Sequence, residues 1–356
     1  MPDRIVTLEP GSLTAMIYDV FVAAGASDDN AARVAASLVD ANLAGHDSHG
    51  VIRVPEYIAA MRAGELVGTA HPAIAQENAA SALVTGNWTY GQVTAAFATE
   101  VVVAKAKHTS LAVAGVTQCH HTGRLGEYAT MAATNGMILL LLGGGLGDHL
   151  PLAAPFGGRR PALGANPIAA GFPVGADGSP MIIDFATTAV AAGKVQVARA
   201  AGAQLPPGSL LNRDGLPTTD PHDFYAGGML LPFGAHKGFA VALMAEFLVA
   251  ALVNPRGWEQ EGRGGPVFGT SGLFMIAIDP AIFGTREDYD RIAQSIVQRI
   301  KSVPAAPGFA EVLMPGEPEM RARQQRLRGI PIEAATWHAV CTTAAELGVT
   351  PCQSLP

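Results

Sequence analysis

Apolar positions in the first 65 residues recur with a helical period. Leu13, Met16, Ile17, Val20 and Phe21 fall at i, i+3, i+4, i+7 and i+8 behind Ser12, a helix-capping residue type, and Gly25 can end that helix. Ser27 opens a second helix, with Asp28 and Asp29 at its positive end. Val34, Leu38, Val39, Asn42 and Leu43 form its stripe before Gly45. Pro55 sets the first turn of a third helix that runs to Arg62. The pattern then changes. Residues 111–116, 137–142, 167–171, 181–185 and 273–278 are short apolar runs flanked by Gly, Pro or Asp, which predicts buried strands. Helical patterns over 94–107, 125–134 and 287–301 alternate with them. Longer ones return at 188–200, 238–253, 319–328 and 333–347. Residues 205–221, rich in Pro, Gly, Asp and Asn, read as a surface loop. This order predicts a mixed α/β (α+β) chain in which a helical domain, built from separated segments, carries one inserted sheet domain. The boundaries are 1–75 for the helical domain, completed by 187–262 and 310–356, and 76–186 plus 263–309 for the mixed domain.

Composition narrows the class. The 356 residues are 49% hydrophobic and 15% charged, against a usual charged share of about 25%. A disordered chain needs the opposite balance, and so little charge points to surface covered in an oligomer. The net charge of −7, with no Lys/Arg run, gives no footprint for nucleic acid. No uninterrupted apolar run approaches the roughly 18–20 residues of a membrane span, and Met1-Pro-Asp-Arg carries no signal-peptide pattern. Cys119, Cys341 and Cys352 make no disulfide framework. The expectation is a soluble cytoplasmic enzyme.

No common nucleotide or hydrolase motif is present. After Gly143, Gly144, Gly145 and Gly147, the positions a Rossmann fingerprint needs for its last glycine hold Asp148 and Leu150. The densest polar cluster is His46-Asp47-Ser48-His49-Gly50 with Arg53. Histidine exchanges protons near neutral pH, and arginine offers a planar fork to a carboxylate. Together they suit a 2-oxo or 2-hydroxy acid; the bland alternative is a turn in which Asp47 and Ser48 satisfy backbone donors. His120-His121 follows a predicted strand and precedes Gly123-Arg124-Leu125-Gly126, where α/β sites lie. The four histidines match no zinc spacing, so no metal is expected. Asp184, Thr187 and Thr188 sit at a strand end, and Lys237 stands among small residues before an apolar helix; sugar hydroxyls and anions suit them, as do plain capping and a solvated lysine. Met314-Pro-Gly-Glu317 is a turn at a helix start.

In order along the chain, Gly45-His-Asp-Ser-His-Gly-Val-Ile-Arg53-Val-Pro-Glu-Tyr57, His121-Thr-Gly-Arg-Leu-Gly126, Pro155-Phe-Gly-Gly158, Leu163-Gly-Ala-Asn-Pro167, Asp184-Phe-Ala-Thr-Thr188, Gly215-Leu-Pro-Thr-Thr-Asp-Pro221, Pro232-Phe-Gly-Ala-His-Lys-Gly238 and Pro315-Gly-Glu317 resemble the malate/L-lactate dehydrogenase family that lacks a Rossmann domain. The resemblance implies a helical domain beside a mixed-sheet domain that binds NAD or NADP, and a homodimer. It implies hydride transfer between nicotinamide and C2 of a small 2-hydroxy or 2-oxo acid, or reduction of a cyclic imino acid. A cofactor-binding regulatory protein on the same fold is the non-enzyme alternative, and the intact His49 and Arg53 argue against it. By position, His49 with Ser48 beside it is the acid/base, His121 is a second acid/base candidate, and Arg53 takes the substrate carboxylate. Asp184, Ala186, Thr187, Thr188, Lys237, Pro315, Gly316 and Glu317 hold the cofactor. The chain departs from the family pattern at Ala165, Ala235 and Gln118-Cys119-His120, where Thr, Gly and Asn-Ser-Asn are usual.

Overall fold

The computed structural model describes residues 5–145, 151–174, 179–200, 202–254 and 259–355. Its strands in chain order are β1 (Ile5–Leu8), β2 (Ala73–Glu77), β3 (Ser81–Thr85), β4 (Leu111–Thr117), β5 (Ile138–Gly144), β6 (Ile168–Phe172), β7 (Met181–Phe185), β8 (Leu210–Leu211), β9 (Pro217–Thr218), β10 (Met229–Leu230), β11 (Gly272–Ile278) and β12 (Ile330–Glu333). The main sheet has seven strands in the order β2-β3-β4-β11-β5-β6-β7. Within it β3 and β4 are parallel and the other pairs antiparallel. A parallel doubly wound sheet takes its ligand at a switch point beyond the strand ends. This sheet has no such arrangement, in keeping with the missing fingerprint. Gly144 and Gly145 allow close packing instead: a Cβ on Gly144 would lie 3.1 Å from the Ala245 carbonyl oxygen, and one on Gly145, at φ +81°, would lie 2.4 Å from that of Thr270. Gly147, Asp148 and Leu150, like residues 1–4, lie outside the described residues.

Alternation along the strands gives the sheet two apolar faces. On β11, Leu273, Met275 and Ala277 join Val102, Tyr128 and Leu139 under the helices Gly91–Thr109 and Gly126–Thr134. Phe274 and Ile276 point the other way, onto Val249 and Val253. The helices Pro10–Ala23, Asp28–Leu43, Val54–Ala63 and Ala334–Glu346 gather around Leu13, Ile17, Phe21, Leu38 and Tyr57. β1 pairs with β12 and so ties the two ends of the chain into that cluster. Val195, Leu205, Leu210 and Leu230 form a further cluster.

Several expectations are corrected. Glu9 rather than Ser12 caps the first helix, its carboxylate accepting from the Gly11 and Ser12 N–H groups. The helix expected from 188 starts at Ala192, because Thr188 pairs with Pro232 in an isolated bridge. The loop expected over 205–221 contains β8 and β9, and Leu210 and Leu211 are buried against β10; the Gly and Asp content marks the turn at 212–216 and not the whole segment. β2, exposed along its whole length, carries no apolar period to read, and β1, β3 and β12 are short.

The apolar pattern at 238–253 is a helix His236–Glu246 that passes into a π-helical segment Phe247–Val253. At 18 residues and mean hydropathy 1.6 it is, among the described residues, the one helix long and apolar enough to cross a membrane. Glu246 breaks the apolar run in the sequence without breaking the helix. Its carboxylate accepts from Asn166 Nδ2 at 2.8 Å and from the Gly145 N–H at 3.2 Å, which pins that face to the sheet. The opposite face exposes Leu243, Met244, Phe247 and Leu252.

Candidate active site

The His46–His49 cluster is split between two faces. Gly45, at φ +85°, ends the Asp28–Leu43 helix, and two single turns, Asp47–His49 and Val51–Arg53, lead into Val54–Ala63. Buried Asn42 anchors the turns: its Oδ1 accepts from the Val51 N–H at 2.9 Å and its Nδ2 donates to Asp47 at 2.7 Å. A Cβ on Gly50 would lie 2.2 Å from Asn42 Oδ1, so glycine is required there. Asp47 also takes two hydrogen bonds from Arg326, and His46 meets Glu319 at 3.2 Å. Asp47 is thus engaged in holding the turn, though by the side chains of Asn42 and Arg326 and not by backbone donors. Ser48, His49 and Arg53 remain.

Of these, His49 meets His121. The His49 and His121 rings stack with centroids 5.6 Å apart and planes 18° from parallel. Ser48 Oγ lies 3.1 Å from His49 Nδ1. Arg53 donates from Nε to the Ser48 carbonyl at 2.8 Å and from one terminal nitrogen to Glu56 at 2.7 Å, which leaves the other terminal nitrogen for a ligand. Three groups the sequence did not single out complete the surroundings. The Tyr57 hydroxyl lies 2.6 Å from His121 Nδ1, Gln92 donates to that hydroxyl at 2.7 Å, and Phe268 packs 4.5 Å from the His120 ring and 5.4 Å from that of His121. Tyr57 stands one helical turn after Arg53, a spacing that could have pointed to it. Nothing local signals Gln92 or Phe268, which tertiary packing delivers. A Cβ on Gly91 would fall 2.3 Å from the carbonyl oxygens of His120 and His121, so the helix start presses directly on the histidine pair.

Burial first, then the Arg53 charge, pushes the His49 pKa down to about 3, with His46 and Arg124 adding to the same direction. His120 is lowered to about 3 by the same two leading causes, and His121 falls well below the ordinary histidine value. All three rings are neutral at pH 7, and a neutral imidazole can accept a proton.

The cofactor candidates gather along β7, the edge strand. Asp184 accepts from the Gly126 N–H at 2.7 Å, at the start of a helix; burial raises its pKa, against the opposing pull of that hydrogen bond and of Arg124. Pro315 accepts from the Ile182 N–H at 3.3 Å, which lays the Pro315–Glu317 turn on the same strand. Burial raises the Glu317 pKa, but Lys301 at 2.8 Å and the Met314 N–H hold it low overall. At the other end of β7, the Phe233 N–H donates to the Thr187 carbonyl, and the Phe185 and Phe233 rings meet edge to face, which brings the Lys237 loop alongside half-buried Ala186. Thr187 and Thr188 give their hydroxyl hydrogens to the carbonyls of Ala165 and Val190, so the backbone already engages them as donors. Lys237 is exposed, and its side chain makes no hydrogen bond or ion pair among the described residues.

A cavity of about 380 Å³ opens beside this strand, lined by Arg33, Asp40, Arg124, Asp184, Gly316 and Arg323 among others. It lies at the lower end of the range of roughly 300–1,000 Å³ for small-molecule pockets, room for part of a dinucleotide. In two of its lining residues the buried Nε atom, that of Arg33 and that of Arg124, has no hydrogen-bond partner. Gly316, at φ +93°, would put a Cβ 3.1 Å from the Ile182 nitrogen, so bare backbone forms that wall. The guanidinium groups here are paired in part, Arg33 with Glu127 and both Arg124 and Arg323 with Asp40, and with the remaining carboxylates and open backbone they suit a ligand bearing phosphates and sugar hydroxyls. Arg124, three residues after His121, lines this cavity, and its charge acts on both His49 and Asp184. No group of three or more His, Cys, Asp or Glu side chains that could hold a metal occurs among the described residues.

The family model described as malate/L-lactate dehydrogenase matches residues 8–341. The hydroxycarboxylate dehydrogenase B of Escherichia coli K12 is 34% identical over 342 residues, covering 95% of this chain and 93% of its own. A Delta(1)-pyrroline-2-carboxylate reductase of Ancylobacter novellus is also 34% identical, over 339 residues, covering 94% and 96%. Among solved structures, the sulfolactate dehydrogenase of Methanocaldococcus jannaschii superposes with a TM-score of 0.87 at 32% identity, covering 97% of this chain and 98% of that one.

Proposed function

The chain belongs to the malate/L-lactate dehydrogenase family and is an oxidoreductase, and on that premise we propose that it transfers a hydride between a nicotinamide cofactor, NAD or NADP, and C2 of a small 2-hydroxy or 2-oxo acid. The observation that carries this reading is the stacked His49–His121 pair beside Arg53, next to the cavity lined by Arg124, Asp184 and Gly316. The nicotinamide ring, when bound, supplies the hydride acceptor or donor. The chain supplies the rest. Arg53 holds the substrate carboxylate with its free terminal nitrogen and so fixes the face that C2 presents. His49, neutral before substrate binds, takes the hydroxyl proton in oxidation and returns it to the oxygen in reduction. A carboxylate bound to Arg53 offsets the Arg53 charge, the second cause after burial of the lowered His49 pKa. Asp184, Ala186, Thr187, Thr188 and Lys237, with Pro315, Gly316 and Glu317, line the cofactor's path along β7; Thr187 and Thr188 contribute there as acceptors, since their hydrogens are engaged.

A second reading is reduction of a cyclic imino acid, in which the proton goes to nitrogen. The reductase from Ancylobacter novellus, at the same identity as the hydroxycarboxylate dehydrogenase, supports it. The division into a helical part (1–75, 187–262 and 310–356) and a cofactor-binding sheet part (76–186 and 263–309) belongs to the same proposal. The separate apolar clusters of the terminal helices and of the sheet support its outer parts, whereas 187–262 carries a cluster of its own and packs Val249 and Val253 against the sheet. The working unit in this reading is a homodimer. All three cysteines are free, which suits a reducing compartment such as the cytoplasm.

The test is a rate panel of malate, lactate, sulfolactate and cyclic imino acids with each cofactor, run on the wild type and on His49→Ala. One acid should be turned over, and His49→Ala should lose about 10²–10⁴-fold in kcat, the scale of a general acid/base, with cofactor Kd unchanged. Near-normal turnover by His49→Ala would move the role to His121.

A further inference from the structure

Tyr57, Gln92 and His121 form a hydrogen-bonded chain on the buried side of the histidine pair. The Tyr57 ring and the Gln92 side chain are fully buried. Gln92, in the first turn of the Gly91–Thr109 helix, donates from Nε2 into the phenol oxygen at 2.7 Å. That oxygen lies 2.6 Å from His121 Nδ1. A phenol has one hydrogen to give. With Gln92 oriented as a donor, the hydrogen goes to His121 Nδ1. That nitrogen is then an acceptor, and the single proton of the neutral ring sits on Nε2.

We propose that Tyr57 and Gln92 are positioning residues that hold His121 in the Nε2–H tautomer, so that His121 serves as a fixed hydrogen-bond donor to the oxygen or nitrogen on the reacting carbon while His49 carries the mobile proton. The proposal rests on the reading of this site as an acid/base centre. The contrast between the two rings supports it. His49 Nδ1 faces the Ser48 hydroxyl, which can rotate to donate or accept and therefore tolerates either tautomer. His121 Nδ1 faces a phenol whose ring is locked in the core and whose hydrogen is already directed. Burial drives the Tyr57 pKa well above its ordinary value, so the phenol remains a neutral donor across the working pH range. His121 itself stays neutral because burial, the Arg53 charge and its two histidine neighbours all disfavour its cation. Tyr57 also lies one turn into the Val54–Ala63 helix that Arg53, the residue that would anchor the substrate, begins as its cap, so anchor and tautomer lock are joined by one helix start.

Long-range ¹H–¹⁵N NMR of the histidine rings in the full-length protein tests this, with the His121 signals assigned by their loss in His121→Gln. The wild type should show His121 protonated at Nε2. Tyr57→Phe, which removes one oxygen from a packed site, should give a mixture of tautomers. Gln92→Glu, whose carboxylate claims the phenol hydrogen, should move the His121 proton to Nδ1. Both variants should lose about tenfold to a hundredfold in kcat, the lower end of an acid/base contribution, with KM for the acid and Kd for the cofactor within about twofold of wild type. An Nδ1-protonated His121 in the wild type overturns the proposal, and so does a Tyr57→Phe protein that keeps both the Nε2–H pattern and full kcat. The ring spectra need no substrate, so an incorrect substrate class would show in the rate panel alone and leave the tautomer result standing.

Discussion

At the residue scale, the site separates side chains that hold the turn from side chains left over for a ligand. Asp47 and His46 are committed to Arg326 and Glu319, whereas Arg53 keeps one terminal nitrogen free beside the histidines. Arg53→Lys retains the charge and loses the planar fork. A charge-assisted hydrogen bond is worth about 1.5–3 kcal/mol, so KM for the acid should rise roughly tenfold to a hundredfold, and kcat should fall if the same contact aims C2. Steady-state kinetics check this. An unchanged KM for every carboxylate, with weakened cofactor binding, would make Arg53 a phosphate contact and direct attention to Arg124 as the anchor.

At the scale of elements, the helix from His236 through Val253 does two jobs. One face seals the sheet, where Gly115 admits Val253: a Cβ on that glycine would sit 2.8 Å from a Val253 methyl carbon. The other face leaves Phe247 65% and Leu252 59% exposed, a contiguous apolar surface of the kind that marks an interface. The dimer proposed above would bury it. Phe247→Glu should convert the dimer to a monomer in sedimentation equilibrium and lower the thermal midpoint, because association stabilises the folded chain by mass action. An unchanged mass would place the contact elsewhere.

At the scale of the whole molecule, three neutral histidines tie stability to pH. His49 and His120 titrate near 3 in the folded chain, and His121 is also depressed, while in the unfolded chain each titrates near 6.5. Below pH 6.5 the unfolded state therefore binds protons that the folded state refuses. Stability is at its full value above that pH and is lost as pH falls toward 3, by up to about 1.4 kcal/mol per pH unit for each histidine that stays neutral. His120, 3% exposed and with Nδ1 unpartnered, is the clearest contributor. Denaturant titrations at pH 7, 6, 5 and 4 should trace this slope, and His120→Gln should reduce it by one histidine. A stability that is flat between pH 7 and 4 would contradict the neutral assignment.

The amphipathic helices were legible in the sequence because local period decides them. Leu13 through Phe21, and Val34 through Leu43, repeat at the spacing of one helical face, and the observed helices bury those residues. The short apolar strands at 111–116 and 273–278 were legible for the same reason, and residue type alone singled out Ser48, His49, Arg53 and His121, which the fold gathers in one place. What the sequence could not determine depends on distance through space. The insertion of β11 between β4 and β5, the exposed edge strand β2 and the pairing of β1 with β12 arise from hydrogen bonds between segments far apart in the chain. Which of the clustered groups face the ligand was likewise undecided until Asn42 and Arg326 claimed Asp47, and until Tyr57, Gln92 and Phe268 closed around the His120–His121 pair. Residue type and period specify what a segment can do, and only packing, which selects the partner each polar atom actually meets, decides which of those options is used.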